Sequence, residues 1–174
     1  SQSMVYDNCF NLHDLVFNSS KHYSSIQLFL PQLYSFSSNN VTICNYEYNT
    51  PFCTIQVSNE TNVGGSIINL NNWSFYKCTT SNNTGVSLYT SQCITFTSCS
   101  WYNNSVSNRN GGAFRIYNLD ASFINCDFIE NSAHNGGALE ISNVLNTIYI
   151  TNCTFSSNQA TSSGGAIYFA SSQS

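Results

Sequence analysis

Cysteines, carboxylates and histidines are the side chains of this 174-residue chain that could do chemistry: eight, eight and three of them. A structural zinc site needs Cys or His ligands paired at short spacing. No such pairing occurs among Cys9, Cys44, Cys53, Cys78, Cys93, Cys99, Cys126 and Cys153, so neither a metal nor a cofactor is expected. A site that cleaves polysaccharide needs carboxylates clustered on one outer face. The closest acids are Asp120, Asp127, Glu130 and Glu140, but one repeat later Asp127 and Glu130 give way to Thr154 and Ser157. A solvated corner accounts for them better than a catalytic pair does. His13-Asp14, His22 and His134 stand in unrelated contexts, and neither a nucleophile motif nor a phosphate-binding glycine loop is present. The sequence therefore predicts no enzyme.

What positions these residues is a repeat. Phe75-Tyr-Lys-Cys78, Phe96-Thr-Ser-Cys99, Phe123-Ile-Asn-Cys126 and Ile150-Thr-Asn-Cys153 are variants of one another. With the Cys as position zero, minus five carries Trp73, Ile94, Ala121 and Ile148, and plus two carries Thr80, Trp101, Phe128 and Phe155. Plus five carries Asn83, Asn104, Asn131 and Asn158. An earlier copy fits with Val41 at minus three, then Cys44, Tyr46 and Asn49. Alternation within minus five to minus three, and again within zero to plus two, is strand periodicity. The three-residue step between them implies a bend. A third strand follows Gly111-Gly112, Gly136-Gly137 and Gly164-Gly165. Three short strands per unit, with Cys-to-Cys spacings of 21, 27 and 27 residues, describe an all-β parallel β-helix of about five to six rungs, each buried against its neighbours.

Gly-Gly-Ala followed by an apolar residue, together with Phe-x-x-Asn, resembles the repeat of polymorphic outer membrane proteins. Related repeats occur in surface proteins of some protists and resemble pectin-lyase-like right-handed β-helices. The matching stretches are Phe128-Ile-Glu-Asn131 with Gly136-Gly-Ala138, and Phe155-Ser-Ser-Asn158 with Gly164-Gly-Ala166. Trp101-Tyr-Asn-Asn104 with Gly111-Gly-Ala113 departs in its aromatic, and Thr80 departs outright. The resemblance spans roughly residues 41–170 and implies a right-handed helix. Such helices serve as adhesins, coats and enzymes.

On this frame Cys44, Cys78, Cys99, Cys126 and Cys153 stack inward on successive rungs. Neighbouring strands lie ~4.8 Å apart, within disulfide reach, so Cys78–Cys99 and Cys126–Cys153 bridges are feasible. Cys9–Cys44 and Cys53–Cys93 complete one scheme, and an unbridged stack of buried thiols is the alternative. The asparagines at plus five (Asn49, Asn83, Asn104, Asn131 and Asn158) are expected at a left-handed corner, each amide bonding its equivalent one rung away. Arg115 and Glu140 are expected to form an exposed pair contributing ~0–1 kcal/mol.

Composition bounds the setting. Charged residues make up 7% of the chain, against about 25% usually. Lys21, Lys77, Arg109 and Arg115 are too few for a phosphate-backbone footprint, so nucleic acid is not expected as a partner. No apolar run approaches the ~20 residues of a membrane span, and Ser1 is not followed by a basic-then-apolar leader, so any signal peptide is expected to have been removed or to lie outside the sequence. The cysteines point to an oxidising compartment. Sequons at Asn18, Asn40, Asn59, Asn72, Asn82, Asn103 and Asn152 point to N-glycans on a secreted or cell-surface protein.

Residues 1–40 are expected to form an N-terminal cap or subunit-docking segment, and 41–174 the β-helix. No polar cap follows the last repeat, so Phe29, Leu30, Ile167, Tyr168 and Phe169 are candidates for a head-to-tail contact. The expected function is a non-enzymatic extracellular glycoprotein, a subunit of a head-to-tail filament or surface coat. An adhesin fragment displaying loops such as 49–63 is the alternative, and a carbohydrate-active β-helix enzyme the third reading.

Overall fold

Apolar residues at every second position, broken every few residues by Gly, Asn or Ser, give strands too short to stand alone. They become stable by stacking. The computed structural model describes residues 9–18, 26–30, 35–44, 53–57, 67–80, 86–89, 93–117, 120–142 and 147–170, and among them every element is a strand and every strand pair is parallel. The chain is an all-β parallel β-solenoid.

The early strands are β1 (Cys9–Asn18), β2 (Ile26–Leu30), β3 (Ser35–Cys44) and β4 (Cys53–Val57). Four turns then carry four strands each. They are β5 (Ile67–Asn71), β6 (Ser74–Tyr76), β7 (Thr79–Thr80) and β8 (Val86–Tyr89); then β9 (Ile94–Thr97), β10 (Ser100–Tyr102), β11 (Ser105–Val106) and β12 (Phe114–Tyr117). Next come β13 (Ala121–Ile124), β14 (Asp127–Ile129), β15 (Ser132–Asn135) and β16 (Leu139–Ser142), and last β17 (Ile148–Thr151), β18 (Thr154–Ser156), β19 (Gln159–Ser163) and β20 (Ile167–Ala170). A ten-stranded sheet runs β17-β13-β9-β5-β3-β6-β10-β14-β18 with β1 on β3. A four-stranded sheet runs β19-β15-β11-β7, and a six-stranded sheet runs β2-β4-β8-β12-β16-β20.

Three expectations change. Each full turn has four strands where three were expected, the extra one being the short β7, β11, β15 and β19. The boundary at residue 40 falls inside β3. Strands β1 and β2 extend the same parallel sheets, β1 opposite β3 and β2 opposite β4.

The third change is the register of the two earliest repeats. Strand β6 pairs Phe75 with Trp101, and β5 pairs Leu70 with Phe96. Trp73, not Cys78, therefore takes the place of Cys99, and Cys78 takes that of Asn104. Thr80 pairs with Val106 and does not depart from the pattern; it belongs five positions further along the turn. One turn earlier, Ile43 pairs with Phe75, which puts Val41 at position zero and Cys44 opposite Tyr76 on the outer side. A tryptophan at position zero is large and aromatic, so by type alone it passes for a position-minus-five residue.

The core is a set of columns running along the axis. Phe75, Trp101, Phe128 and Phe155 stack ring on ring, with centroids 5.5, 4.6 and 4.7 Å apart. Phe96 stacks on Phe123 at 5.1 Å, and Phe114 meets both edge-on. Full burial of each such ring contributes about 1.5–3 kcal/mol, with a further ~0.5–1.5 kcal/mol for a well-oriented aromatic pair.

Candidate functional site

The thiol column holds Cys99, Cys126 and Cys153 on three successive turns. Each Sγ donates to a carbonyl of the preceding turn: Cys99 to Leu70 at 3.3 Å, Cys126 to Phe96 at 3.5 Å and Cys153 to Phe123 at 3.4 Å. The backbone N–H of Cys126 in turn donates to Cys153 Sγ at 3.4 Å. Burial pushes the Cys99 thiol well above its ordinary range, and to a lesser degree that of Cys153. The Cys126 thiol moves the other way, lowered by its hydrogen bond with Cys99; occupied in bonds between turns, the three sulfurs serve as packing atoms.

Among the described residues, Cys93, Cys99, Cys126 and Cys153 carry unbridged thiols. The expected Cys78–Cys99 bridge fails on register, because the two residues occupy different columns. Cys9–Cys44 fails likewise: Cys9 pairs with Ser35 and Cys44 with Asn18, at opposite ends of the β1–β3 ladder. Cys126 and Cys153 do share a column on adjacent turns. Cys53 lies in β4, whereas the exposed Cys93 precedes β9 of the other sheet.

The asparagine column is a continuous hydrogen-bonded ladder. Asn131 Oδ1 accepts from the backbone N and the Nδ2 of Asn104 at 3.1 and 3.0 Å. Asn158 Oδ1 accepts the same two bonds from Asn131 at 3.0 and 3.1 Å. Each Nδ2 also reaches a carbonyl of the turn before: Asn104 to Phe75, Asn131 to Trp101 and Asn158 to Phe128. Cys78 heads the column, donating its N–H to Asn104 Oδ1 at 3.0 Å. Asn49 and Asn83 lie outside the described residues.

The ladder asparagines are not the left-handed residues. Positive φ falls one residue earlier, at Lys77, Asn103, Glu130 and Ser157 (φ 51–56°), and just before position zero at Asn40, Asn72, Ser98, Asn125 and Asn152 (φ 51–56°). The corner residue bends the chain and its successor satisfies the interior. Sequence reasoning placed a bend before position zero but missed its left-handed residue and the side-chain pairing there, in which Asn72 donates to Asn40 at 3.2 Å and Asn152 to Asn125 at 2.7 Å; recurrence of Asn or Ser immediately before each position zero was the available signal.

The sequons Asn40, Asn72, Asn103 and Asn152 are all solvent-exposed corner residues. Asn18 ends β1, and Asn59 and Asn82 lie outside the described residues.

The outer faces hold the groups left for interaction. Arg115 Nε lies 2.6 Å from Glu140 Oε2, and the Glu140 side chain is only 3% exposed. The pair is thus not the exposed one expected. Glu140 lies in β16, all four of whose residues are buried, so desolvation offsets much of its attraction. On the outer side of β6 and β10, Tyr76 and Tyr102 stack with centroids 5.2 Å apart, and Lys77 Nζ sits 5.1 Å from the Tyr76 ring. Tyr102 donates to the Glu130 carboxylate, which raises its phenol pKa. His134 exchanges a hydrogen bond with Thr161 at 3.0 Å. Asp120 accepts from the N–H of Thr147, away from Asp127 and Glu130 on the turn.

The last turn is different again. Tyr149, Ile150, Ile167 and Phe169 are 61, 38, 37 and 64% exposed, and Tyr168 is half-buried. Phe29 and Leu30 lie in β2, opposite Gln56 and Val57.

Among the described residues no cluster of His, Cys, Asp or Glu has the arrangement to hold a metal ion. No described helix is long and apolar enough to cross a membrane. Fold and side chains together define a repeat β-solenoid whose recurring polar groups bond to one another. Residues 152–170 match the model of the Chlamydia polymorphic membrane protein repeat, the stretch that carries Cys153, Phe155, Asn158 and Gly164-Gly165. Comparison with curated proteins and with solved structures found no match.

Proposed function

We propose that this chain is a non-enzymatic β-solenoid segment of a protein displayed at a cell surface, a structural or adhesive stalk. The observation that carries this is the fate of the repeat: its thiols and amides are consumed in bonds between turns. A catalytic site would leave some of them convergent on solvent. The match of residues 152–170 to a repeat of a membrane protein family supports surface display. N-glycans at the exposed corners Asn40, Asn72, Asn103 and Asn152 belong to the finer form of this reading. An antibody against the folded chain should stain intact, unpermeabilised source cells, and brief protease treatment of those cells should remove the signal. Staining only after permeabilisation would refute surface display. Intact mass before and after deglycosylation reads the glycans in the same preparation.

A further inference from the structure

The pairing of the turns sets Cys99, Cys126 and Cys153 in file. Backbone bonds flank each of them. Ser98 N–H donates to the Ile124 carbonyl and Asp127 N–H to that of Cys99; one turn on, Asn125 donates to Thr151 and Thr154 to Cys126, all at 2.9 to 3.0 Å. The three side chains also share one pose. Besides its bond to the preceding turn, each Sγ donates to the carbonyl two residues back: Cys99 to Thr97 at 3.4 Å, and Cys126 to Ile124 and Cys153 to Thr151 at 3.3 Å. One pose repeated turn by turn places sulfur over sulfur at the strand spacing, ~4.8 Å. The thiols of Cys99 and Cys153 both hydrogen-bond to the one between them, Cys126.

Adjacent members of this column have their Cα atoms within the range of a disulfide. Cys99 and Cys153, two turns apart at about 9.6 Å, do not. Cys126 therefore has two neighbours and can bond only one of them. We propose that Cys126 is the shared half of a reversible disulfide, which closes across adjacent turns onto Cys153 or onto Cys99, one at a time.

A small-molecule disulfide of the glutathione class is the oxidant. Cys126 is fully buried, so the small molecule reaches it before the turns have stacked or in a local opening. One protein thiolate attacks a sulfur of the small disulfide, forming a mixed disulfide and releasing one small thiolate. The neighbouring protein thiolate then attacks the protein sulfur of that bond, and the second small thiolate leaves. The two protein thiols give up two electrons and two protons, which the small disulfide takes up as two thiols. The file also lets the bond move without further reagent. Attack of Cys99 on Cys126 Sγ breaks the bond to Cys153, whose sulfur leaves with the electron pair and takes up the proton that Cys99 has lost. Burial keeps Cys99 protonated, which slows this shift.

Reversibility follows from the stacking. Cβ atoms related by translation alone stand ~4.8 Å apart, against about 3.8 Å in a relaxed disulfide. Closure pulls the two turns together by about 1 Å at this point, and the strain that remains makes the bond easier to reduce. The extracellular setting proposed above enters only as the supply of oxidant; with glutathione added, the column is tested wherever the chain is displayed.

The reduced full chain is equilibrated with mixtures of reduced and oxidised glutathione, the remaining thiols are blocked with N-ethylmaleimide, and chymotryptic peptides are mapped by mass spectrometry. Peptides joining Cys126 to Cys153 or to Cys99 are expected, and none joining Cys99 to Cys153. Cys153→Ser should leave only the Cys99–Cys126 bond, Cys99→Ser only Cys126–Cys153, and Cys126→Ala neither. Excess reduced glutathione should open the bond and leave the β-sheet circular dichroism unchanged. A folded chain in which Cys126 stays a thiol at every ratio overturns the proposal. So does a Cys99–Cys153 link, or a bond that survives excess reduced glutathione. If Cys126→Ala does not fold, the switch of partner between Cys99→Ser and Cys153→Ser decides the matter, and a bond that fails to switch sinks the idea.

Discussion

Asn131 is fully buried and makes four hydrogen bonds through one amide, two as acceptor and two as donor. Removing it strands the Asn104 N–H and the Trp101 carbonyl in the interior, where each unsatisfied group costs about 1–3 kcal/mol. Asn131→Ala is therefore expected to destabilise by about 3 kcal/mol or more, and Asn158→Ala, half-buried in the open turn, by clearly less. Denaturant unfolding of the two variants measures this, and equal losses would mean that the ladder is not what makes Asn131 costly to replace. The ladder was legible because Asn recurs at fixed distance from Cys. Its head was not. Cys78 has the right residue type for the thiol column, and only the pairing of Phe75 with Trp101 shows it in the amide column. Glu140 misled in a similar way: outward alternation along β16 suggested exposure, and burial of that face depends on the rest of the molecule.

At the scale of elements, the paired glycines do two different jobs. Gly136 takes φ +61°, a left-handed conformation at the corner into β16. Gly137 needs no such freedom, but a Cβ there would run into the carbonyl oxygen of Gly165 and the backbone of Gln159. A Cβ at Gly165, in the last turn, would make only an ordinary van der Waals contact, 3.6 Å from Asn158 O. Gly137→Ala should therefore cost about 1–3 kcal/mol by overpacking, whereas Gly165→Ala should stay within about 0.5 kcal/mol. Thermal unfolding of both variants decides it; a tolerated Gly137→Ala would mean that the turns are not stacked glycine on glycine. The glycine corners and the long alternating strands could be read directly from the sequence. The strands β7, β11, β15 and β19 could not. Thr79-Thr80, Ser105-Val106 and Ser132-Ala133 are short and small, and they pair because the turns on either side hold them in place.

The whole molecule is quasi-one-dimensional, each turn secured by the next. Backbone N–H groups at the corners donate forward: Ser98 to Ile124, Asn125 to Thr151, Asn103 to Ile129 and Glu130 to Ser156. The equivalent Asn152 and Ser157 have no described turn to donate to. In dilute solution, hydrogen exchange should be slowest in β13–β15 and fastest in β17–β20, with Asn152 and Ser157 among the first to exchange. Protection as strong in the last turn as in the middle would contradict nearest-neighbour stabilisation. Architecture was legible at this scale, since periodicity survives local errors of register.

The amide ladder also bears on inheritance. Asn104, Asn131 and Asn158 meet identical demands at intervals of 27 residues. A copying slip that adds or removes one such unit leaves each remaining amide with a donor on one side and an acceptor on the other. Length in this chain can then vary between descendants in whole turns, while a change of a few residues inside a strand shifts the columns that strand contributes to.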